Sequence, residues 1–330
     1  MSAAGPPQGA NCAPSGGSAA ATAASVGVNI PRVRIGTLVV VGVGLIGGSC
    51  ALALRAAGAV SRIIGVGRGR RNLDDALGCG IVDVAYTLDE DWASELATAD
   101  IVLVAVPLSQ YPTLFSIIAP AMGRQTVVTD AGSTKQDVIA TGRAAFGDAI
   151  SRFVAGHPIA GSEQSGALAA DATLFTGRNV ILTPLSETAP DACARVSELW
   201  QACGARVTTM SPAAHDRVLA AVSHLPHMLA FALVAELASR QNSADLFSYA
   251  GSGFRDFTRI AASSPEMWRD IALANREALQ DEFVHYRTAL DNAARMLAEG
   301  DAAGLAALFD RASIARRRLE SSGRSGGDAT

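Results

Sequence analysis

Residues Leu38–Gly48, LVVVGVGLIGG, decide the fold of this chain. An apolar run typical of a buried parallel strand leads directly into Gly42, Gly44 and Gly47, which have G-x-G-x-x-G spacing. The first glycine permits a tight turn, the second lets backbone approach a pyrophosphate, and the third lets the next helix pack on the strand. The following GGSCALALRAAG is helical in pattern, and a helix N-terminus attracts phosphate. We therefore predict a dinucleotide site rather than a purely structural turn.

A membrane-spanning segment is the alternative interpretation of this region. Residues 38–60 are apolar and long enough to cross a bilayer. The glycines, and Arg55 near the end of the run, favour a buried strand and helix instead. Residues 1–30 have no basic segment ahead of an apolar core, so they do not resemble a signal peptide. We expect a cytoplasmic protein with no membrane partner.

The bulk composition sets broad limits. The chain has 330 residues, 49% of them hydrophobic and 18% charged, which is enough for two domains with their own cores. The formal net charge of −4 gives no electrostatic attraction to nucleic acid. The five cysteines are scattered without ligand spacing, so we predict no metal site and expect thiols in a reducing compartment.

The pattern along the chain predicts two domains. From Thr37 to about Met210, short apolar runs alternate with helical segments, which is typical of a doubly wound α/β fold. The predicted strands cover residues 38–42, 62–67, 99–107, 125–133, 152–158, 179–184 and 205–210. Long helices are predicted from Ser211, a good N-cap, to about Arg240, and from about Pro265 to Glu299.

This pattern gives explicit boundaries. We predict a disordered low-complexity arm over 1–32, a Rossmann-type dinucleotide-binding domain over 33–210, an all-helical substrate and dimerisation domain over 211–320, and a disordered tail over 321–330. The segment 228–237, MLAFALVAEL, is apolar nearly all round and must be buried on every side. A core shared with a second copy would explain it, so we predict a homodimer through the helical domain.

The end of the second predicted strand bears on the choice of cofactor. NAD-preferring domains place an acidic residue there for the ribose 2′-hydroxyl, whereas this chain has Gly67. Arg68, Arg70 and Arg71 follow, and guanidinium groups suit a 2′-phosphate, although a solvated loop is the alternative. We favour NADP and leave NAD open. The predicted cofactor-binding residues are Gly42, Gly44, Leu45, Ile46, Gly47, Arg68, Arg70, Arg71, Val106, Pro107 and Ser133.

A candidate base follows a later strand. His157, in GHPIAGSE, is predicted at a strand end of the dinucleotide domain, where an imidazole is suited to acid–base chemistry. Ser133, in DAGSTK at the end of the neighbouring strand, is expected to bond and orient that imidazole. A Ser–His hydrolase is disfavoured because no G-x-S-x-G elbow surrounds the serine.

The helical region adds further polar candidates. His224 and His227 flank Pro226, which lacks an N–H and crowds the carbonyl of Val222, so a kink beside a pocket is predicted. A pair of satisfied core histidines is the alternative. In GSGFRDFTRIA, Arg259 lies among aromatic residues, and a buried arginine needs a partner, so it is a candidate carboxylate clamp.

These motifs together resemble the prephenate/arogenate (cyclohexadienyl) dehydrogenases of tyrosine biosynthesis. The resemblance covers residues 37–298. Its carriers are VVVGVGLIGGS, VTDAGSTK, GHPIAGSE, the SP-x-x-HD segment Ser211–Asp216, VSHLPHMLAFALV, and GSGFRDFTRIA followed by Pro265-x-x-Trp268.

The resemblance implies NAD(P)-dependent oxidative decarboxylation of prephenate to 4-hydroxyphenylpyruvate, of arogenate to tyrosine, or of both. By family analogy, His157 accepts the proton of the ring hydroxyl while hydride leaves for the nicotinamide. Ser133 matches the serine that links the histidine, hydroxyl and nicotinamide, and Arg259 matches an arginine that binds a substrate carboxylate. The further pocket or rim positions implied are Glu163, His215, Asp216, His224, Asp256 and Trp268.

Two other classes of protein remain as alternatives. Imine reductases and hydroxyacid dehydrogenases share the two-domain plan, but some use a lysine in the second domain, and residues 211–300 contain none. A non-catalytic NAD(P)-binding sensor would need a further DNA-binding or partner-binding module, which the pattern does not indicate. We also expect no regulatory domain, so that any feedback control by tyrosine acts at the active site.

Overall fold

A computed structural model describes residues 34–162 and 164–324, without the side chains of 321–324. The predicted arm over 1–32 and the candidate Glu163 lie outside the described residues.

The dinucleotide-binding fold is confirmed as a six-stranded parallel sheet. Its strands are β1 (Ile35–Val41), β2 (Val60–Gly67), β3 (Val84–Thr87), β4 (Ile101–Val104), β5 (Val127–Asp130) and β6 (Phe153–Val154), in the order β3-β2-β1-β4-β5-β6. Strand β3 was not predicted, because it has only four residues and all of them are half-buried at the sheet edge. The reversal of strand order at β1 and β4 opens a crevice at their carboxyl ends, where such sheets bind ligands.

Helices cover both faces of this sheet. They are α1 (Leu45–Ala56), α2 (Arg70–Gly78), α3 (Tyr111–Ala121), α4 (Gln136–Phe146) and α5 (Pro190–Ala202). Leu38 and Val40 of β1 enter one apolar core, whereas Val39 and Val41 enter the other. Both faces of the strand are therefore buried, which explains its unbroken apolar run.

A second, three-stranded sheet, which the sequence analysis did not predict, follows the first. It contains β7 (Gly156–Pro158), β8 (Asn179–Leu182) and β9 (Arg206–Thr209), with β7 antiparallel to β8 and β8 parallel to β9. The run 152–158, predicted as one strand, is divided between β6 and β7. The break occurs because the backbone of Gly156 bonds to the side chains of Asp130 and Lys135 rather than continuing the first ladder.

The first helical region begins as predicted and contains an irregular turn. The Ser211 hydroxyl caps α6 (Pro212–Leu219) by accepting a hydrogen bond from the N–H of Ala214 at 3.2 Å. A π-helical turn over Ala220–His224 then leads into α7 (Leu225–Ala238), so the distortion predicted at Pro226 lies just before that proline. Among the described residues, the run Pro212–Ala238 is the one helix long and apolar enough to cross a membrane, which is weak evidence of membrane association.

The remaining helices differ from prediction at two points. They are α8 (Ser243–Ser248), α9 (Ser252–Thr258), α10 (Pro265–Ala274), α11 (Arg276–Ala298) and α12 (Ala302–Arg324). The helix predicted from Pro265 to Glu299 is interrupted at Asn275, whose side chain bonds to two groups of the α6–α7 region. Helix α12 includes the first four residues of the predicted tail, 321–324, since each added helical residue gains a backbone hydrogen bond.

The segment 228–237 is not buried on every side within one chain. Of its ten residues only Ala230 is fully buried. Large apolar side chains are also exposed along the helical region: Val218, Val222, Tyr249, Phe257, Met267, Leu273, Val284, Leu290, Leu297, Phe309, Ile314 and Leu319. An apolar surface of this extent is typical of a protein that associates with a partner.

Candidate active site

A groove of about 670 Å³ lies at the carboxyl ends of the central strands. The predicted cofactor residues that line it are Gly42, Gly44, Arg68, Val106 and Pro107, whereas Leu45, Ile46, Gly47, Arg70, Arg71 and Ser133 are not among its lining residues.

The glycines of the motif fit a dinucleotide. Gly42 has φ +100°, and a Cβ there would collide with the carbonyl oxygen of Ala105. A Cβ at Gly47 would collide with the carbonyl oxygen of Gly42, so α1 packs on the turn only because this residue is glycine. Gly44 has open space around it, as close approach of a pyrophosphate to the backbone requires. The described residues therefore fit the predicted cofactor.

The three arginines after β2 have different surroundings. Arg68 lines the groove beside Gly67. Arg70 instead bonds to Asp74, one turn further along the same helix, at 3.0 Å. It also lies 3.8 Å from Glu90, on the loop after β3. Arg71 is exposed on the first turn of α2.

Asn72, which sequence reasoning missed, joins two walls of the groove. Its amide nitrogen donates to the carbonyl of Val43 at 2.7 Å, and its amide oxygen accepts from the N–H of Ala167 at 2.7 Å. The loop containing Ser165 and Gly166 is thereby held against the glycine turn. No local pattern marks this asparagine, since its partners are 29 and 95 residues away.

His157 is half-buried in the middle of β7, and its imidazole has a different partner from the one predicted. Its Nδ1 lies 2.9 Å from Nε2 of His215, and no hydrogen bond joins it to Ser133 among the described residues. Nδ1 of His215 lies 2.8 Å from Oδ1 of Asp216. His215 and Asp216 are 0% and 1% exposed, so these two residues lie behind His157, and their assignment to the pocket or its rim stays a prediction.

Asp216 is held at the start of α4. Its Oδ1 accepts the N–H of Lys135 at 2.8 Å, and its Oδ2 accepts the N–H of Gln136 at 2.9 Å. Burial acts to raise the pKa of Asp216, but the hydrogen bonds from His215 and from these N–H groups outweigh it, so the pKa lies below its usual value. Asp216 is therefore a carboxylate at neutral pH.

Burial is the main reason that His157 is neutral. Desolvation lowers the pKa of His157 well below 6.5, and electrostatic interactions with His215, Lys135 and His224 lower it further. An imidazole that is neutral at physiological pH is able to accept a proton there.

A buried ion pair supports the residue before His157. The ammonium of Lys135 donates to the Asp130 carboxylate at 2.5 Å and to the carbonyl of Gly156 at 2.7 Å, and both charged side chains are 0% exposed. Oδ1 of Asp130 accepts the N–H of Gly156 at 2.9 Å. The Tyr111 hydroxyl donates to Oδ2 at 3.2 Å; burial, followed by this carboxylate, raises the pKa of Tyr111 well above 10. Both backbone polar groups of Gly156 are thus fixed by charges.

Three aromatic side chains of the helical region form a second cluster. The rings of His227 and Trp268 stack with centroids 3.5 Å apart, and the His224 ring lies edge-on, 6.1 Å from Trp268. His224 is 1% exposed, and burial lowers its pKa to about 4. Its Nδ1 lies 3.0 Å from the amide nitrogen of Asn275, and its Nε2 has no partner within the described chain. Asn275, not predicted as a site residue, also donates to the carbonyl of Asp216 at 2.7 Å.

The expectation that Arg259 is buried is wrong for a single chain. Arg259 is exposed on the short 3₁₀ turn after α9, and Asp256 is exposed on α9 itself. Arg259 is nevertheless close to the aromatic cluster: burial lowers the pKa of His227, and the charge of Arg259 lowers it further. The prediction failed because aromatic neighbours in sequence do not enclose an arginine when they lie on an exposed short helix.

Comparison with known proteins agrees with this geometry. The sequence model described as "Prephenate dehydrogenase, nucleotide-binding domain" matches residues 50–209, and that described as "Prephenate dehydrogenase, dimerization domain" matches residues 211–311. The chain belongs to the prephenate dehydrogenase family. The family matches disfavour the imine reductases and hydroxyacid dehydrogenases, and because prephenate dehydrogenases are oxidoreductases, they also disfavour a non-catalytic sensor.

Several members of the prephenate dehydrogenase family are similar over most of their length. The prephenate dehydrogenase of Bacillus subtilis is 35% identical, over 84% of this chain and 74% of its own length. The cyclohexadienyl dehydrogenase of Zymomonas mobilis is 32% identical, over 86% of this chain and 96% of its own length. A crystal structure of prephenate dehydrogenase from A. aeolicus in complex with hydroxyphenyl propionate and NAD+ is 33% identical, with a TM-score of 0.80, covering 87% of this chain and 99% of that one.

The dimerisation domain of this family coincides with the exposed apolar surface. Residues 211–311, matched by that domain, include the half-exposed segment 228–237 and most of the exposed apolar side chains described above. Such a surface is suited to dimerisation, which is the role that the matched family model names for this region.

Proposed function

We propose that this chain oxidatively decarboxylates prephenate, and arogenate as a second substrate, with NADP preferred over NAD. The observation that carries the proposal is the position of His157. The N–H of Gly156, in the same strand β7, donates to the side chain of Asp130, the last residue of β5. His157 therefore lies on the side of the sheet where the strands end, which is also the side that carries the nucleotide groove. A neutral base therefore lies near the expected site of hydride transfer.

His157 takes one proton from the substrate hydroxyl and later returns it to the same oxygen. It accepts the proton of the ring hydroxyl as hydride leaves the carbon bearing that oxygen, and the carbon becomes a carbonyl. The ring carboxylate then departs as carbon dioxide, its electron pair enters the ring, and the oxygen takes back a proton to give a phenol. The nicotinamide, when bound, supplies the hydride acceptor. Ser133, half-buried and 24 positions before His157 in the chain, is assigned to the substrate hydroxyl on the family resemblance.

The helical region supplies the substrate contacts in this proposal. Arg259 binds a substrate carboxylate, since a guanidinium forms paired hydrogen bonds with it. Trp268 and His224 form a wall of the pocket, and the Nε2 of His224 is a buried polar atom that a substrate oxygen would satisfy. Glu163 and Asp256 are assigned to the rim on resemblance alone. His215 and Asp216 act behind His157 instead of on the substrate.

The preference for NADP rests on the end of β2. Gly67 offers no carboxylate to the adenosine ribose, and Arg68 lines the groove beside it. Arg70 is already bonded to Asp74, so Arg68 is the stronger candidate for a 2′-phosphate, and Arg71 is a weaker one.

The domain boundaries and the setting belong to the same proposal. Residues 33–210 form the dinucleotide-binding domain, and residues 211–320 form the substrate and dimerisation domain of a cytoplasmic homodimer. The family matches, which change from one domain to the next between residues 209 and 211, support this division.

The test is the initial rate of the purified protein with prephenate and with arogenate, each with NAD and with NADP. We expect turnover of both substrates, faster with NADP, and loss of at least about 100-fold in kcat for His157→Asn. Reduction of neither cofactor with either substrate, by protein that still binds NADP, would refute the proposed reaction. A His157→Asn variant with near-native kcat would refute the assigned base.

A further inference from the structure

The three side chains Asp216, His215 and His157 form a line of hydrogen bonds that ends at His157. Oδ1 of Asp216 is 2.8 Å from Nδ1 of His215, and Nε2 of His215 is 2.9 Å from Nδ1 of His157. The remaining ring nitrogen of His157, Nε2, makes no hydrogen bond to the described residues. This is the nitrogen left to face a substrate.

The line has a direction, because its buried end is able only to accept. An ionised carboxylate has no proton to donate, so Nδ1 of His215 carries the hydrogen of the first bond. When His215 carries a single ring proton, its Nε2 is unprotonated and accepts the second bond, so Nδ1 of His157 carries the hydrogen. In neutral His157 the lone pair is therefore on Nε2.

The carboxylate at the buried end is itself fixed from behind. The N–H groups of Lys135 and Gln136 point at its two oxygens, and both are donors that no rotation of a side chain removes. The side-chain amide of Asn275 donates to the backbone carbonyl of Asp216 at 2.7 Å. The backbone N–H groups at the start of α4 thus fix Asp216 as the acceptor, and this fixes which nitrogen donates in each of the two imidazole rings.

We propose that Asp216 and His215 are positioning residues that hold His157 with its proton on Nδ1, so that Nε2 faces the substrate hydroxyl as the proton acceptor. The inference rests on the proposed function only in naming the substrate; the tautomer itself is a property of the protein. A carboxylate holds a catalytic imidazole in its working tautomer in the serine proteases, and removal of that control there costs about 10⁴-fold in kcat.

The intervening imidazole distinguishes this arrangement from a direct carboxylate–histidine pair. A carboxylate in contact with His157 would favour its charged form and raise its pKa. The groups that act on His157 here are His215, Lys135 and His224, all of which lower its pKa. His215 therefore transmits the hydrogen-bond direction without placing a negative charge against the base.

Two substitutions of His215 separate positioning from packing. His215→Phe keeps a ring of similar size but removes the acceptor for Nδ1 of His157. His215→Gln gives up the ring but places an amide oxygen within reach of the same nitrogen. We expect His215→Phe to lower kcat at least about 100-fold with little change in KM, and His215→Gln to recover about 10-fold or more of that loss. A purely structural role would predict the opposite ranking.

The tautomer is measured directly by ¹⁵N NMR of histidine-labelled protein. The chain has five histidines, and the signal that disappears in His157→Asn assigns the base. We expect a protonated Nδ1 and an unprotonated Nε2 in the wild type and in His215→Gln, and a mixture of tautomers in His215→Phe. A wild-type His157 protonated on Nε2, or a His215→Phe variant with kcat within about threefold of wild type, would overturn the proposal.

The two proposals fail in different ways. A wild-type protein with the expected Nδ1 signal that turns over neither prephenate nor arogenate would refute the function and support the positioning. Turnover of prephenate with an Nε2-protonated His157 would do the reverse. If His215→Phe does not fold, the wild-type spectrum alone decides between the tautomers.

Discussion

Replacement of Lys135 by methionine tests the buried ion pair beneath His157. Methionine has a similar length and fills the space of the lysine stem, so the change removes a charge and two hydrogen bonds with little change in volume. The carboxylate of Asp130 would remain at 0% exposure without its cation, and the carbonyl of Gly156 would lose its donor. Loss of one partner of a buried ion pair typically costs about 3–5 kcal/mol of folding free energy.

The assay is urea unfolding of the apo-protein at one fixed protomer concentration, because dimerisation contributes to the apparent stability. We expect a free energy of unfolding lower by about 3–5 kcal/mol and, since each kcal/mol shifts Tm by about 2–4 °C in larger domains, a Tm lower by about 6–20 °C. Turnover should fall as well, because Gly156 precedes the base.

Arg143→Met is the matched control, since it removes a cation from α4, which Lys135 immediately precedes. Its partner Glu187 is 2.9 Å away, but both side chains are about half-exposed, so we expect no measurable loss. In the double variant Asp130→Asn/Lys135→Met, the uncompensated charge is absent, and part of the stability should return. A Lys135→Met protein within about 1 kcal/mol of wild type would refute the reasoning.

The other predictions concern cofactor, pH and substrate. Arg68→Ala should raise KM for NADP about tenfold and leave KM for NAD nearly unchanged, whereas Arg71→Ala should do so more weakly; equal effects on both cofactors would remove Arg68 from the 2′-phosphate site. The pKa of His224 is about 4 in the folded state and 6.5 in the unfolded state, so the unfolded chain binds the proton first as pH falls. About 2 kcal/mol of folding free energy should therefore be lost between pH 8 and pH 5. In urea titrations at the two pH values, His224→Gln should lose about 2 kcal/mol less than the wild type. Arg259→Ala should raise KM for prephenate with a smaller effect on kcat, and an unchanged KM would refute its role as a carboxylate clamp.

The features that could be predicted from sequence are those encoded within a few neighbouring residues. The glycine turn requires Gly42 and Gly47 because a Cβ at either would strike backbone, and this requirement is visible in the spacing itself. The N-cap at Ser211 and the distortion near Pro226 are likewise local. The second sheet was missed because the break in the run 152–158 depends on Asp130 and Lys135, more than twenty positions earlier.

The candidate site shows the same division. His157, His215 and Asp216 were all identified, but their order in one hydrogen-bonded line depends on how α6 lies against the start of α4. The VTDAGSTK motif contained Asp130 and Lys135, and only the fold shows that both are fully buried and bonded to each other. Asn275 had no signal at all, since it acts by ending α10 where its amide reaches the neighbouring helix.

The π-helical turn over Ala220–His224 sets how far α7 is rotated about its own axis relative to α6. Such a turn holds one residue more than an α-helical turn, and each residue rotates a helix by about 100°. Deletion of one residue there would turn His224 and His227 away from Trp268 and, by the same angle, reorient the half-buried apolar side chains of α7. The aromatic cluster and the apolar side chains of α7 are therefore set by one shared rotation, and a change of chain length at this turn would displace both together.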